Sequence, residues 1–204
     1  MNNQPPVRFP PVPHHLMSDK QRRIAQKIFE GRKSLDGPFH AMLRSPAVAD
    51  PLQEIGAYIR FRMSASAKLK EFAIIMVARF WGAEFEWHIH RNIAEAEGLE
   101  PKKINAILRG KRPASLDNDE AEVYRFMAEL LLTGRVTDSS FDSMTQRFGE
   151  RIVTDFITLA GYYTTVSFFL NVDRHPLPDG VEPMPRLTDL PFNDIFANEG
   201  QFIK

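Results

Sequence analysis

Between residues 18 and 172, apolar positions recur at the three- and four-residue spacing of helices, and short cap signals divide them. Ser18 is placed to cap a first helix over about 19–31, with Ile24 and Ile28 on one face. Asp50 followed by Pro51 reads as an N-cap and first helical residue, and Leu52, Ile55, Ile59 and Met63 then continue the pattern. Ser66 opens the next helix, about 67–81, which Gly82 ends. A further helix runs over about 84–97 and stops at Gly98, and Pro101 starts a short one that ends at Gly110. Asp117 with Glu120 three residues on forms a capping-box signature, and that helix continues to about Thr133 before Gly134. Stretches 138–148 and 150–170 complete the set. No segment alternates with hairpin-type turns, so the pattern predicts an all-α fold of seven to nine helices. No internal repeat is visible.

Proline sets the boundaries. Five of the fifteen prolines lie in residues 1–13 and five more in 176–191, leaving five for the whole middle. Such ends cannot form helix, yet they carry Phe9, Val12, Leu177, Leu190, Phe192 and Phe196. They therefore read as extended arms laid over a surface, their own or a neighbour's. The expected organisation is an N-terminal arm over 1–17, one helical domain over 18–172 and a C-terminal arm over 173–204.

Composition narrows the chemistry. The 204 residues hold 26 basic and 26 acidic side chains, and a net charge of zero without any basic block argues against nucleic acid as partner. Cysteine is absent, which removes disulfides, thiolate metal sites and cysteine nucleophiles. The longest apolar stretch, 156–170, is too short to span a membrane and is broken by Thr, Ser and Tyr, so it reads as a buried core helix. The opening MNNQPPVRFPPVPHHL has no apolar leader core, so no secretory signal is readable and a cytoplasmic location is expected.

The densest polar cluster is Gly82-Ala-Glu-Phe-Glu-Trp-His-Ile-His-Arg91. Glu86 and His90, four apart, share a helix face, and Glu84 and His88 form a second pair turned about 200° away. Such pairs are either an exposed charged face or, where buried, an acid/base unit, because carboxylate and imidazole bias each other's protonation. Trp87 is large enough to wall a pocket beside them. No metal is expected: His88 and His90 face different ways, and the spacing is Glu-x-x-x-His rather than the Glu-x-x-His of di-iron bundles. Glu71, just before an apolar run, is either a helix-start carboxylate favoured by the dipole or an inward-facing acid. Arg60 and Arg62 offer guanidiniums that bind a substrate carboxylate or pair with surface acids. Tyr162 and Tyr163 lie in an otherwise apolar helix, where core packing is the ordinary role.

The run from Leu69 to Leu99, LKEFAIIMVARFWGAEFEWHIHRNIAEAEGL, resembles the core of the carboxymuconolactone decarboxylase family, which includes the alkylhydroperoxidase D-like proteins. A looser similarity extends over about 45–171, with Gly161-Tyr-Tyr resembling a family Gly-His-Tyr segment, and the tail PLPDGVEP from Pro176 resembles the ends of long members. The resemblance implies an all-α fold built around a helical hairpin, and homo-oligomers such as trimers or hexamers. It also implies that Glu71 and His90 occupy the two ends of the proton relay that serves a dithiol in the peroxidase branch. The dithiol positions are Ala83 and Glu86 here, so peroxidase chemistry of that kind has no nucleophile. The decarboxylase branch uses acid/base residues on the same helix, and Glu86 and His90 fit it better.

These readings combine into one expectation: a cofactor-free acid/base enzyme acting on a small carboxylated or lactone-like molecule. Glu71, Glu86 and His90 would be catalytic, with His90 transferring the proton, while Arg60, Arg62, Trp87 and Tyr163 would bind substrate. The alternative is a non-catalytic oligomeric protein that binds a small molecule.

Overall fold

Nine α-helices follow one another among the described residues, 6–196, of the computed structural model, and no strand occurs among them. The outer ends of both expected arms, 1–5 and 197–204, lie outside the described residues, as does the side chain of Phe196. The helices are α1 (Asp19–Arg32), α2 (Phe39–Met42), α3 (Pro46–Phe61), α4 (Ala67–Phe80), α5 (Glu84–Ala96), α6 (Pro101–Leu108), α7 (Asn118–Thr133), α8 (Asp138–Phe148) and α9 (Glu150–Asp173).

Their starts follow from side-chain caps. Ser18 and Gln21 close a capping box on α1, and Asp117 and Glu120 close another on α7, each satisfying two otherwise unbonded backbone N–H groups. Ser66 Oγ accepts from Leu69 N at 3.3 Å to start α4. The expected start at Asp50 is wrong. α3 begins five residues earlier, after Ser45 with Pro46 in its first turn, and Pro51 lies inside the helix. Starting there places Ala49 on the buried face with Gln53, Gly56 and Ile59, while Asp50 turns outward to Lys27 at 3.1 Å.

α4 is the centre of the molecule. It packs on α5, α6, α7 and α9, and residues 71–79 are buried without interruption, as expected of a helix covered on every side. Its tightest partner is α5, to which it is joined by Trp81-Gly82-Ala83. Gly82 sits at φ +63°, a left-handed conformation that lets the chain reverse there. This hairpin brings Glu71 opposite the inward face of α5. Phe72 of α4, Phe126 of α7 and Phe156 of α9 are fully buried around it. Each such ring contributes roughly 2–3 kcal/mol by leaving water.

The described parts of the arms lie on their own chain. Arg8 N donates to Asp173 O at 3.0 Å, and Phe9 N to Asp173 Oδ1 at 2.6 Å. The C-terminal arm caps Arg79, whose Nη2 donates to Pro185 O at 2.6 Å, and further on buries Phe192 fully, edge-on against Tyr124. No described helix is long and apolar enough to cross a membrane.

Candidate active site

One face of α5 and the middle of α4 bring three titratable groups into a line. Glu71, Glu86 and His90 are all buried. His90 Nδ1 lies 2.6 Å from Glu71 Oε2 on α4, and its Nε2 lies 2.9 Å from Glu86 Oε1 one turn back on α5. Glu71 is thus an inward-facing acid in the second turn of α4, and it caps no helix start. A neutral imidazole donates through one nitrogen only, so two carboxylates at both ring nitrogens require a shared extra proton.

Burial alone would push the imidazole towards neutrality. The Glu86 charge and the hydrogen bonds to Glu71 and Glu86 outweigh it and raise the His90 pKa to about 9. At neutral pH His90 is therefore an imidazolium held between Glu71 and Glu86. The two acids sit on opposite edges of the ring, so the three do not converge on a point. Among the described residues, no group of three or more His, Asp or Glu is spaced to hold a metal ion.

The line opens at Glu86 onto a pocket of about 210 Å³. Phe85, Glu86, Ile89 and His90 form its α5 wall, and Tyr162, Tyr163 and Val166 of α9 face them. Tyr163 sets its ring edge-on to His90 at a centroid distance of 5.1 Å. Burial, with the Glu86 charge adding to it, pushes the Tyr163 hydroxyl well above its ordinary pKa, so it stays protonated. Burial raises Tyr162 to about 12. Glu86 commits Oε1 to His90 and leaves Oε2 for a ligand. With both nitrogens of His90 engaged, Glu86 is the wall residue with an uncommitted oxygen, and Glu71, which does not line the pocket, holds His90 from behind.

The remaining expected residues are divided. Arg60 reaches the pocket rim although it is largely exposed. Arg62 does not line the pocket: it is exposed at the end of α3, with its guanidinium 5.7 Å over the Tyr58 ring. Two residues along a helix turn the side chain through about 200°, which separates it from Arg60. Trp87 is also outside the pocket, buried in the core next to Glu86 in sequence but about 100° round the helix. His88 is half-buried and lines no part of the pocket. Arg32 was not foreseen. It ends α1, and no local spacing links it to residues on α5 and α9, yet it lines the pocket beside Tyr162.

Comparison with protein-family models finds no match for this chain, and comparison with curated proteins finds none either.

Proposed function

We propose that the protein is a cofactor-free acid/base enzyme of the carboxymuconolactone decarboxylase-like kind, acting on a small carboxylated or lactone-like organic molecule by decarboxylation or proton transfer. The observation that supports this most is the buried Glu71–His90–Glu86 line, with a hydrogen bond of 2.6 Å and an ion pair of 2.9 Å, ending at the pocket. In a decarboxylation the carbon–carbon bond to the carboxylate breaks, carbon dioxide leaves, and the electron pair stays on a carbon able to delocalise it. A proton must then reach that carbon. In this reading the proton rests on His90; it passes to Glu86 and from Glu86 to that carbon, the neutral imidazole then regains a proton from solvent, and Glu71 holds the ring in position. Such a step uses no metal or organic cofactor; a pocket that steadies the developing charge is sufficient.

A second reading, a non-catalytic binding protein, is favoured by the engagement of both ring nitrogens of His90. Dithiol peroxidase chemistry is disfavoured by the absence of cysteine. We also read the protein as a trimer or hexamer. Ile157, Phe168 and Val172 are exposed along one side of α9, which gives an apolar surface for a neighbouring copy.

The deciding experiment is a millimolar panel of carboxylactones and related acids, followed by ultraviolet loss and carbon dioxide release. Turnover of one member is expected. No turnover together with thermal stabilisation by one compound would replace the enzyme reading with the binding one.

A further inference from the structure

The guanidinium of Arg32 is built into the pocket without an acceptor. Its Nη2 is buried and has no hydrogen-bond partner among the described residues. Arginine does not shed its charge, so an unpaired buried N–H of this kind is costly unless something accepts from it. The head is also held in place, with Cζ 5.0 Å over the Phe39 ring. A Cβ added at Gly56 would lie 2.1 Å from the Tyr162 hydroxyl and 2.7 Å from Arg32 Nη2. The two donors therefore sit side by side against the bare backbone of α3. Tyr162 remains protonated, since burial lifts its pKa to about 12.

The pocket accordingly combines unlike groups. Arg32 and Tyr162 supply donors, Glu86 supplies a carboxylate, and Phe39, Ile89 and Val166 supply apolar wall. No other group fills the cationic role. His90 has both nitrogens engaged. Arg60 is solvent-exposed, with its guanidinium over Phe61. Asp36, the acid at the mouth, is turned to His175 at 3.2 Å.

We propose that Arg32, with the Tyr162 hydroxyl beside it, is the specificity-determining anchor of this pocket, holding the carboxylate of a small ligand whose apolar body lies against Phe39, Ile89 and Val166. That the same ligand also meets a proton-transferring group rests on the acid/base reading above; the anchoring itself does not.

The test is calorimetric titration of the full chain with benzoate and with its neutral isostere benzamide. Benzoate should bind about tenfold more tightly or better, the scale of a charge-assisted hydrogen bond to a partly buried guanidinium. Arg32→Met should abolish that preference by weakening benzoate while leaving benzamide unchanged. Arg32→Lys keeps the charge without the fork and should retain only part of it, which preserves the test if the methionine variant does not fold. Tyr162→Phe should weaken benzoate several-fold. Arg62→Met, outside the pocket, should change neither ligand. Equal affinities in the unaltered protein, no binding of either compound at millimolar concentration, or a preference that survives both Arg32 variants would overturn the anchor. The two proposals fail separately. A benzoate preference lost in Arg32→Met, without turnover of any acid, keeps the anchor and removes the enzyme. Turnover that depends on Glu86, with a benzoate preference indifferent to Arg32, does the reverse.

Discussion

Glu71 and His90, nineteen residues apart on the two arms of the α4–α5 hairpin, meet at 2.6 Å between Oε2 and Nδ1. The contact ties a helix-spanning turn to a protonation state. His90 is raised to about 9 against an ordinary 6.5, so the folded state binds its proton more tightly than the unfolded state does. Its stabilising contribution is complete below about pH 6.5 and is lost as pH rises through about 9. Urea unfolding should show the native protein outperforming His90→Gln by a margin that shrinks over that window, by on the order of 3 kcal/mol at most. A margin that grew with pH would mean that the imidazole is neutral in the fold.

Gly56 offers a check on the pocket's donors. Alanine normally improves a helix interior by about 1 kcal/mol over glycine. Here the new Cβ would stand 2.1 Å from the Tyr162 hydroxyl, inside α3 and against α9. Tyr162 is buried and cannot swing away freely, so overpacking should exceed the propensity gain and Gly56→Ala should lose a net 1–2 kcal/mol, roughly. Thermal melts of the two proteins measure this directly, and a stabilised Gly56→Ala would show that Tyr162 and Arg32 are not packed on α3.

Much of this architecture is written locally. Ser18, Ser66 and Asp117 cap their helices because a short oxygen-bearing side chain accepts from the backbone N–H three residues ahead, an interaction that needs no knowledge of the rest of the fold. Asp50-Pro51 misled for the same reason: it is a good start signal, but Ser45-Pro46 is another, and burial of Ala49 decided between them. The Glu86–His90 contact was legible because four residues make one turn. Glu71 entered through resemblance to a known helical pair. Arg32 had no such route, since it meets Tyr162 only when α1, α3 and α9 pack together, and sequence separation on that scale carries no periodic trace. Arg62 and Trp87 lie outside the pocket through direction: being near a site residue in sequence places a helical side chain on another face.

The exposed side of α9 bears on assembly. Ile157 and Phe168 are each 47% exposed and Val172 51%, at spacings that keep them on one side of the helix. Residues of this size left in water favour association. Light scattering at micromolar concentration should give a mass several times that of the 23.4 kDa chain, three- or sixfold. Replacing Phe168 and Ile157 by Glu together should dissociate the assembly if this side forms the contact. A monomer mass for the unaltered protein would remove the oligomer proposal.

The line of three groups makes the sharpest demand. If Glu86 exchanges the proton with substrate and His90 and Glu71 keep it charged and aligned, each is needed for the same step. Glu86→Gln, His90→Ala and Glu71→Gln should each reduce kcat by about a hundredfold or more on the substrate found by the panel. The triple variant should be scarcely worse than the worst single one, because groups acting as a unit are not additive. The pH profile separates their roles. Removing Glu71 should shift the alkaline limb downward, since the hydrogen bond between Glu71 and the ring is one of the forces raising His90 to about 9. His88→Ala is the internal control: it lies two residues from His90, outside the pocket, on a helix whose other face does the chemistry. Loss of activity in His88→Ala with full activity in His90→Ala would contradict the register of α5, and with it the buried line and the function read from it.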